Sequence, residues 1–318
     1  MIGNGHFMIR REAFGQRLSE QGTWQIGFAT AGSRRRIGWR GGEREAGAGV
    51  ASRSHFGGSF SGIARRVHIG AVRRILGVEV TVAELNEAVD QIVGCVNGGG
   101  AGIWGFCNAH TANVAARNAE FRAALQQMII FNDGIGVDLA SQLLYGSAFP
   151  DNLNGTDLTP RLLDRLPAGT PVYLIGSPPG VAEKAAAVLE GRHGIRVVGS
   201  HHGFFAAEEE EGIAASIVAS GARLVLVGMG NPRQEVWAAR HVRTIRVPIL
   251  CIGAFLDFSA GRVSRAPAMV RNLRLEWIYR LMLEPRRMAR RYLTGNMAFL
   301  FAVLRQRVAQ PLNDRSHD

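Results

Sequence analysis

Of the 37 Lys and Arg residues in this chain, only Lys184 is a lysine. Cysteine is nearly as sparse. Cys95, Cys107 and Cys251 are odd in number, scattered and without metal-ligand spacing, which excludes a disulfide framework and fits a reducing compartment. No run of 18 apolar residues exists, so no membrane-spanning helix is expected, and the N-terminus has no apolar stretch of signal-peptide length. Charged residues make up only 20% against 47% hydrophobic, which excludes a wholly disordered chain. Glycine is frequent but not periodic, so a collagen-like fibre is excluded too. What remains is a globular protein of 318 residues, one large domain or two small ones, with ample length for a core.

The net charge of +11 is unevenly spread. Residues 1–74 carry 13 Arg against four Glu, a net +9, and residues 262–318 carry 12 Arg against four acids, a net +8. The segment between them is therefore −6. Two basic ends around an acidic body point to an anionic partner: nucleic acid, a membrane surface or a phosphorylated ligand.

Residues 1–70 are rich in Gly, Ser and Arg and show no apolar period, so a disordered basic arm is expected there. From Arg74 onward the pattern becomes regular. Ile75–Val80 reads as a strand, and Thr81 with Glu84 reads as a capping box opening a helix through Val82–Val93. Strands are expected at 103–106, 128–131, 171–176, 196–199, 224–228 and 249–253. Helices are expected at 109–127, 138–144, 157–165, 181–189, 208–220 and 234–241. Continuous apolar strands alternating with helices predict an α/β fold, a Rossmann-like and mostly parallel sheet with helices on both faces, over 71–267. Residues 268–310 read as a basic helical appendage, with helices over 269–283 and 286–304 interrupted at Pro285.

In such sheets ligands bind beyond the carboxyl ends of the strands. Asp133, in Asn132-Asp133-Gly134, suits a general base or hydroxyl acceptor there, or simply an Asx turn. Gly176 opens a small-residue turn, Gly176–Gly180, that lets a phosphate approach a helix N-terminus or serves as a plain strand-helix turn. Gly228 begins Gly228-Met229-Gly230-Asn231-Pro232-Arg233-Gln234-Glu235. Gln234 and Glu235 are expected in the first helical turn, facing the cleft, as an amide and a carboxylate for sugar hydroxyls, with N-terminal capping as the plainer role for Glu235. His201-His202 lacks the third ligand a metal needs, so neither a metal nor a cofactor is expected. Arg280, Arg287 and Arg290 lie at i, i+7 and i+10, a band of about 80° on a continuous helix, suited to clamping a diphosphate or to a solvated face. Alternation with Ile278, Leu281, Met282 and Leu283 also suits a helix at a membrane surface.

Taken together, several runs resemble the WecG/TagA/CpsF family, glycosyltransferase family 26, from about Ile75 to Leu300. They are Asn108-Ala109-His110-Thr111, Asp133–Gly136, Gly155–Leu158, Gly228–Glu235, Arg265-Ala266-Pro267, Leu275–Arg280 and Glu284–Arg287. The resemblance implies an inverting, metal-independent enzyme. It would move a sugar (N-acetylmannosamine, its uronic acid or glucose) from a UDP-sugar to a polyprenyl-diphosphate-linked acceptor. The setting implied is the cytoplasmic face of the bacterial membrane, bound peripherally to anionic lipid, in cell-surface polysaccharide synthesis.

It also implies Asp133 as the base and Gln234 beside the sugar, with Arg280, Arg287 and Arg290 on the diphosphate. Asn108, Thr111, Asn154, Asp157, Gly176, Gly228, Glu235 and Arg265 complete the expected substrate-binding set. Two positions depart from the family pattern: Phe106 stands where Thr is common, with Thr111 as a substitute from the next turn, and Asn152 stands where Arg is common.

Two other classes fit the residues less well. A nucleotide-dependent oxidoreductase would need a Gly-x-Gly-x-x-Gly turn after the first strand, and none follows Ile75–Val80. A nucleic-acid-binding protein is disfavoured by the acidic middle and the few aromatics near the basic runs, so no nucleic-acid partner is expected. A homo-oligomer is compatible with the sequence.

Overall fold

The computed structural model describes residues 70–267, 276–283 and 294–309. The arm expected over 1–70 therefore lies outside the described residues, apart from Gly70, as do Arg287 and Arg290. In chain order the strands are β1 (Val72–Ile75), β2 (Val78–Thr81), β3 (Gly102–Cys107), β4 (Ile129–Asn132), β5 (Pro171–Gly176), β6 (Arg196–His201), β7 (Leu224–Gly228) and β8 (Pro248–Cys251). The helices are α1 (Leu85–Asn97), α2 (Ala109–Arg117), α3 (Ala119–Leu125), α4 (Ile135–Tyr145), α5 (Gly155–Arg165), α6 (Val181–His193), α7 (Glu210–Ser220), α8 (Arg233–Ile245), α9 (Phe255–Ser259), α10 (Glu276–Leu283) and α11 (Gly295–Ala309).

Strands β3 to β8 form one sheet in the order β4-β3-β8-β7-β5-β6, and every pair in it is parallel. Side-chain alternation divides the core in two. Ile103, Ile130, Tyr173, Ile175, Val225, Val227 and Ile249 face α2, α3, α4, α7, α8 and α11. Their sequence neighbours Trp104, Ile129, Phe131, Val172, Leu174, Leu224, Leu226 and Leu250 face α1, α5, α6 and α9. The strands are apolar on both faces because helices cover both.

Three sequence expectations need correction. The single strand at 75–80 is a hairpin: β1 and β2 pair antiparallel around Leu76-Gly77, both with positive φ, and such two-residue turns match strand twist. Helix α1 is capped by Glu84 and Glu87, not by Thr81, because Thr81 is used in β2. The helix expected over 109–127 is two helices, broken at Asn118, whose extended backbone lets its side chain cap Phe121 N–H at 2.9 Å.

The hairpin is fastened by Arg73, which is only 7% exposed. Its guanidinium donates to Ser141 Oγ at 2.7 Å, Ser147 Oγ at 2.7 Å and the carbonyls of Ser147 and Ala148, and it lies 5.2 Å from the Phe149 ring centroid. These bonds tie β1 to the end of α4.

Candidate functional site

Because all six strands are parallel, their carboxyl ends share one edge of the sheet. The chain leaves β3 and β7 toward one face, into α2 and α8, and leaves β8 toward the other, into α9. Neighbouring strand ends that part in this way open a crevice.

Asp133 sits at that edge, immediately after β4. Its backbone N–H donates to Cys107 O at 2.8 Å, which extends the β3–β4 ladder by one residue. Asn108, at the end of β3, is the N-cap of α2: its Oδ1 accepts from Thr111 N–H at 3.0 Å. The cap fixes which end of the amide points inward, so Nδ2 is left to donate to Asp133 Oδ2, at 2.9 Å. On the other side, Gly134 N–H donates to Asn152 Oδ1 at 2.7 Å. Asn132 donates to Asp151 O at 2.8 Å and to Asp138 Oδ1 at 3.2 Å. The turn carrying Asp133 is thus held from both flanks. Its negative charge adds to burial in pushing the Cys107 thiol well above the usual range.

A polar chain runs on from Asn108. Thr111 Oγ1 lies 3.2 Å from Asn108 Oδ1 and accepts from Asn231 Nδ2 at 3.4 Å. Asn231 Nδ2 also donates to Glu235 Oε1 at 3.1 Å, and Gln234 Nε2 donates to the same oxygen at 2.8 Å. Asn231 precedes a cis peptide bond to Pro232. Gln234 and Glu235 do lie in the first turn of α8, but they are 5% and 1% exposed, so both are buried instead of facing the cleft as expected. Glu235 Oε2 and Asn231 Oδ1 are buried with no hydrogen-bond partner among the described residues. Burial outweighs the three hydrogen bonds it receives and raises the Glu235 carboxyl to about 6.

A second cluster borders the first. Asn154 caps α5, accepting from Thr156 N–H and Asp157 N–H at 3.1 and 3.0 Å, and its Nδ2 donates to Asp157 Oδ2 at 2.7 Å. Arg265 reaches back to pair with Asp157 Oδ1. The stretch Asp151–Asn154 joins this cluster to the Asp133 turn through the Asn152 and Asp151 bonds above. Phe106 fills the space beside it: a Cβ on Gly155 would lie 2.9 Å from its ring.

Gly176 and Gly228 meet backbone to backbone. A Cβ on Gly176 would stand 2.3 Å from Gly228 O, and one on Gly228 would stand 2.7 Å from Gly253 O. Their missing side chains let three strand ends close on one another. Arg280 lies on α10, whereas Arg287 and Arg290 fall outside the described residues. His201 packs against His202, tilted, and edge-on against Phe205, at 4.6 and 5.5 Å between centroids. No group of three His, Cys, Asp or Glu side chains able to hold a metal occurs among the described residues.

Asn152 and Asn231 are absent from the set expected from sequence. Asn231 had a local signal, standing between Gly230 and Pro232 at the end of the most buried strand. Asn152 stood out only as a departure from the family pattern, because its partner, Gly134, is 18 residues away.

A Rossmann-like sheet with a carboxylate clamped at its crevice belongs to the α/β enzymes that work at their strand ends. Residues 73–313 match the model of the glycosyl transferase WecG/TagA/CpsF family, over two-thirds of the chain, and the chain belongs to that family. It is therefore a glycosyltransferase of cell-surface polysaccharide synthesis.

Proposed function

We propose that the protein transfers a sugar from a UDP-sugar to a polyprenyl-diphosphate-linked acceptor, with inversion, and that Asp133 is the general base. The observation that carries this reading is the carboxylate at the crevice, bonded by Asn108 just after β3 and carried on a turn that Asn152 fastens at Gly134 N–H. In the proposed step an acceptor hydroxyl gives its proton to Asp133. Its oxygen forms a bond to the anomeric carbon as the bond from that carbon to the UDP oxygen breaks, and UDP leaves with the electron pair. One in-line displacement inverts the anomeric centre.

Asn231 borders the sugar in this reading, with the buried Gln234 and Glu235 behind it. Gly176 and Gly228 form the back of the crevice, and Arg265 with the Asn154–Asp157 pair forms its rim. The appendage arginines Arg280, Arg287 and Arg290 bind diphosphate and offset the charge developing on the leaving group. The basic end of the chain rests on anionic lipid at the inner face of the membrane. No helix among the described residues is long and apolar enough to cross a membrane.

The test is a donor screen with purified protein and a short-chain lipid-diphosphate-sugar acceptor, reading UDP release. The active pair is then repeated with Asp133→Asn. Turnover is expected to be lost and UDP binding kept; undiminished turnover removes Asp133 from the mechanism.

A further inference from the structure

Most of the large apolar side chains that the fold leaves exposed are not scattered. Among the described residues, those outside α4, α10 and α11 are four single residues: Val72, Val188, Phe204 and Val218. On α4, Ile135, Leu139 and Leu143 are 38%, 47% and 39% exposed, at i, i+4 and i+8. On α11, Met297, Phe301, Leu304 and Val308 are 50–87% exposed, at i, i+4, i+7 and i+11. Each set is one stripe along its helix.

The two helices lie side by side and run the same way. A Cβ on Gly136 would lie 3.9 Å from the Phe299 ring, and Arg307 Nη1 lies 3.4 Å from Leu144 O. Eight residues separate the two contacts on either helix, so the stripes advance together. Phe299 and Val303 face inward with Val137, Ala140 and Leu144, which leaves both stripes on the outer side. The two stripes are about 12 and 17 Å long at 1.5 Å per residue. The shared face begins at Ile135, two residues after Asp133. Contiguous exposed apolar faces of this kind mark interaction sites.

Charge selects the occupant. Helix α11 has no acidic residue and carries Arg305 and Arg307 in its last turns. The one acid on α4, Asp138, is buried and bonded to Asn132. A second copy of the same face would bring these arginines no acidic partner. A bilayer containing anionic lipid offers an apolar layer for the stripes and headgroup phosphates for the arginines.

We propose that the outer faces of α4 and α11 together form the surface on which this protein lies against an anionic bilayer. The sheet domain itself then touches lipid through the helix that leads out of the Asp133 turn, and the basic appendage is not the only contact. The site would stand at headgroup level, where the sugar of a lipid-linked acceptor is presented. This rests on the proposed acceptor class for its purpose but not for its test.

The test is flotation of the full chain with phosphatidylglycerol–phosphatidylcholine vesicles, without any sugar substrate, comparing wild type with Leu139→Gln/Leu143→Gln and Phe301→Gln/Leu304→Gln. Substitution to Gln removes apolar contact without adding repulsion, and circular dichroism and thermal melting confirm that the exposed substitutions leave the fold intact. Each pair is expected to lower vesicle partitioning at least tenfold. Sedimentation velocity on the same proteins reads self-association. Unchanged partitioning in the α4 variant overturns the proposal, as does a wild type that does not bind vesicles. So does a variant that keeps vesicle binding but turns an oligomer into a monomer, which would make the face a contact between copies. If partitioning falls as expected while no UDP-sugar is turned over, the lipid face stands and the proposed donor or acceptor fails.

Discussion

Asn108 and Asp133 follow neighbouring parallel strands and meet at 2.9 Å, Nδ2 to Oδ2. The same asparagine side chain caps α2 with its oxygen. One residue therefore starts a helix and orients a carboxylate, and the helix start decides how the amide is turned. One carboxylate oxygen is thus oriented before any substrate arrives, which is preorganisation of the kind the proposed general base needs.

That dual role can be separated. Asn108→Ser keeps a capping oxygen for Thr111 N–H but removes the N–H that meets Asp133. Hydrogen bonds to charged groups contribute about 1.5–3 kcal/mol, so kcat is expected to fall roughly 10- to 100-fold while KM for the donor stays within a few-fold. Asn108→Ala loses the cap as well and should also lower the stability by about 1 kcal/mol. Steady-state kinetics and thermal melts of the two variants check both parts. Unchanged kcat in Asn108→Ser would mean that Asp133 does not depend on this contact.

Much of this architecture was legible in the sequence. The continuous apolar strands and the strand-helix alternation predicted the sheet, because a strand covered on both faces has little other composition open to it. The loops at 132–134, 176–180 and 228–235 were readable as strand ends. What could not be read was register and partnership. The Asn108–Asp133, Asn231–Thr111 and Arg265–Asp157 contacts join residues 25, 120 and 108 positions apart. The hairpin was hidden because Leu76-Gly77 interrupts the apolar pattern too briefly to look like a turn. The burial of Glu235 was hidden because an acid in a first helical turn reads as exposed capping.

Asn152 supplies an acceptor to Gly134 N–H at 2.7 Å, where a longer arginine would supply none. Asn152→Ala should loosen the turn and reduce kcat by about tenfold, in line with one lost hydrogen bond of about 1 kcal/mol plus a less fixed base. Asn152→Asp keeps the acceptor and should restore most of the rate. A wild-type rate in Asn152→Ala, or no recovery in Asn152→Asp, counts against a positioning role.

Glu235 makes stability depend on pH. Its folded-state value, about 6, lies above the ordinary 4.5, so the folded protein holds this proton more tightly than the unfolded chain. The contribution is complete below about pH 4.5 and is lost as pH rises through 6. The shift corresponds to about 2 kcal/mol at most. Glu235→Gln keeps an acceptor for Gln234 and Asn231 and cannot ionise. Relative to wild type it should gain stability between pH 4.5 and 7, approaching about 2 kcal/mol and then levelling off. Urea melts at pH 4.5, 6 and 7.5 check the sign. A constant difference across that range would mean that Glu235 does not titrate in the fold.

The glycines at the strand ends separate packing from flexibility. Gly176 has φ 146°, and a Cβ there would stand 2.3 Å from Gly228 O, a backbone atom that cannot step aside without moving β7. Gly191, inside α6, has nothing within 4 Å of where its Cβ would go. The same substitution should therefore have opposite signs at the two sites. Gly176→Ala combines a backbone clash with an unfavourable φ and is expected to destabilise by about 3 kcal/mol or more. Gly191→Ala is expected to stabilise by about 0.5–1 kcal/mol, through helix propensity and a less free unfolded chain. Chemical denaturation of the two variants decides. Equal, small effects would show that β5 and β7 do not close on one another at their carboxyl ends, and would remove the back wall proposed for the crevice.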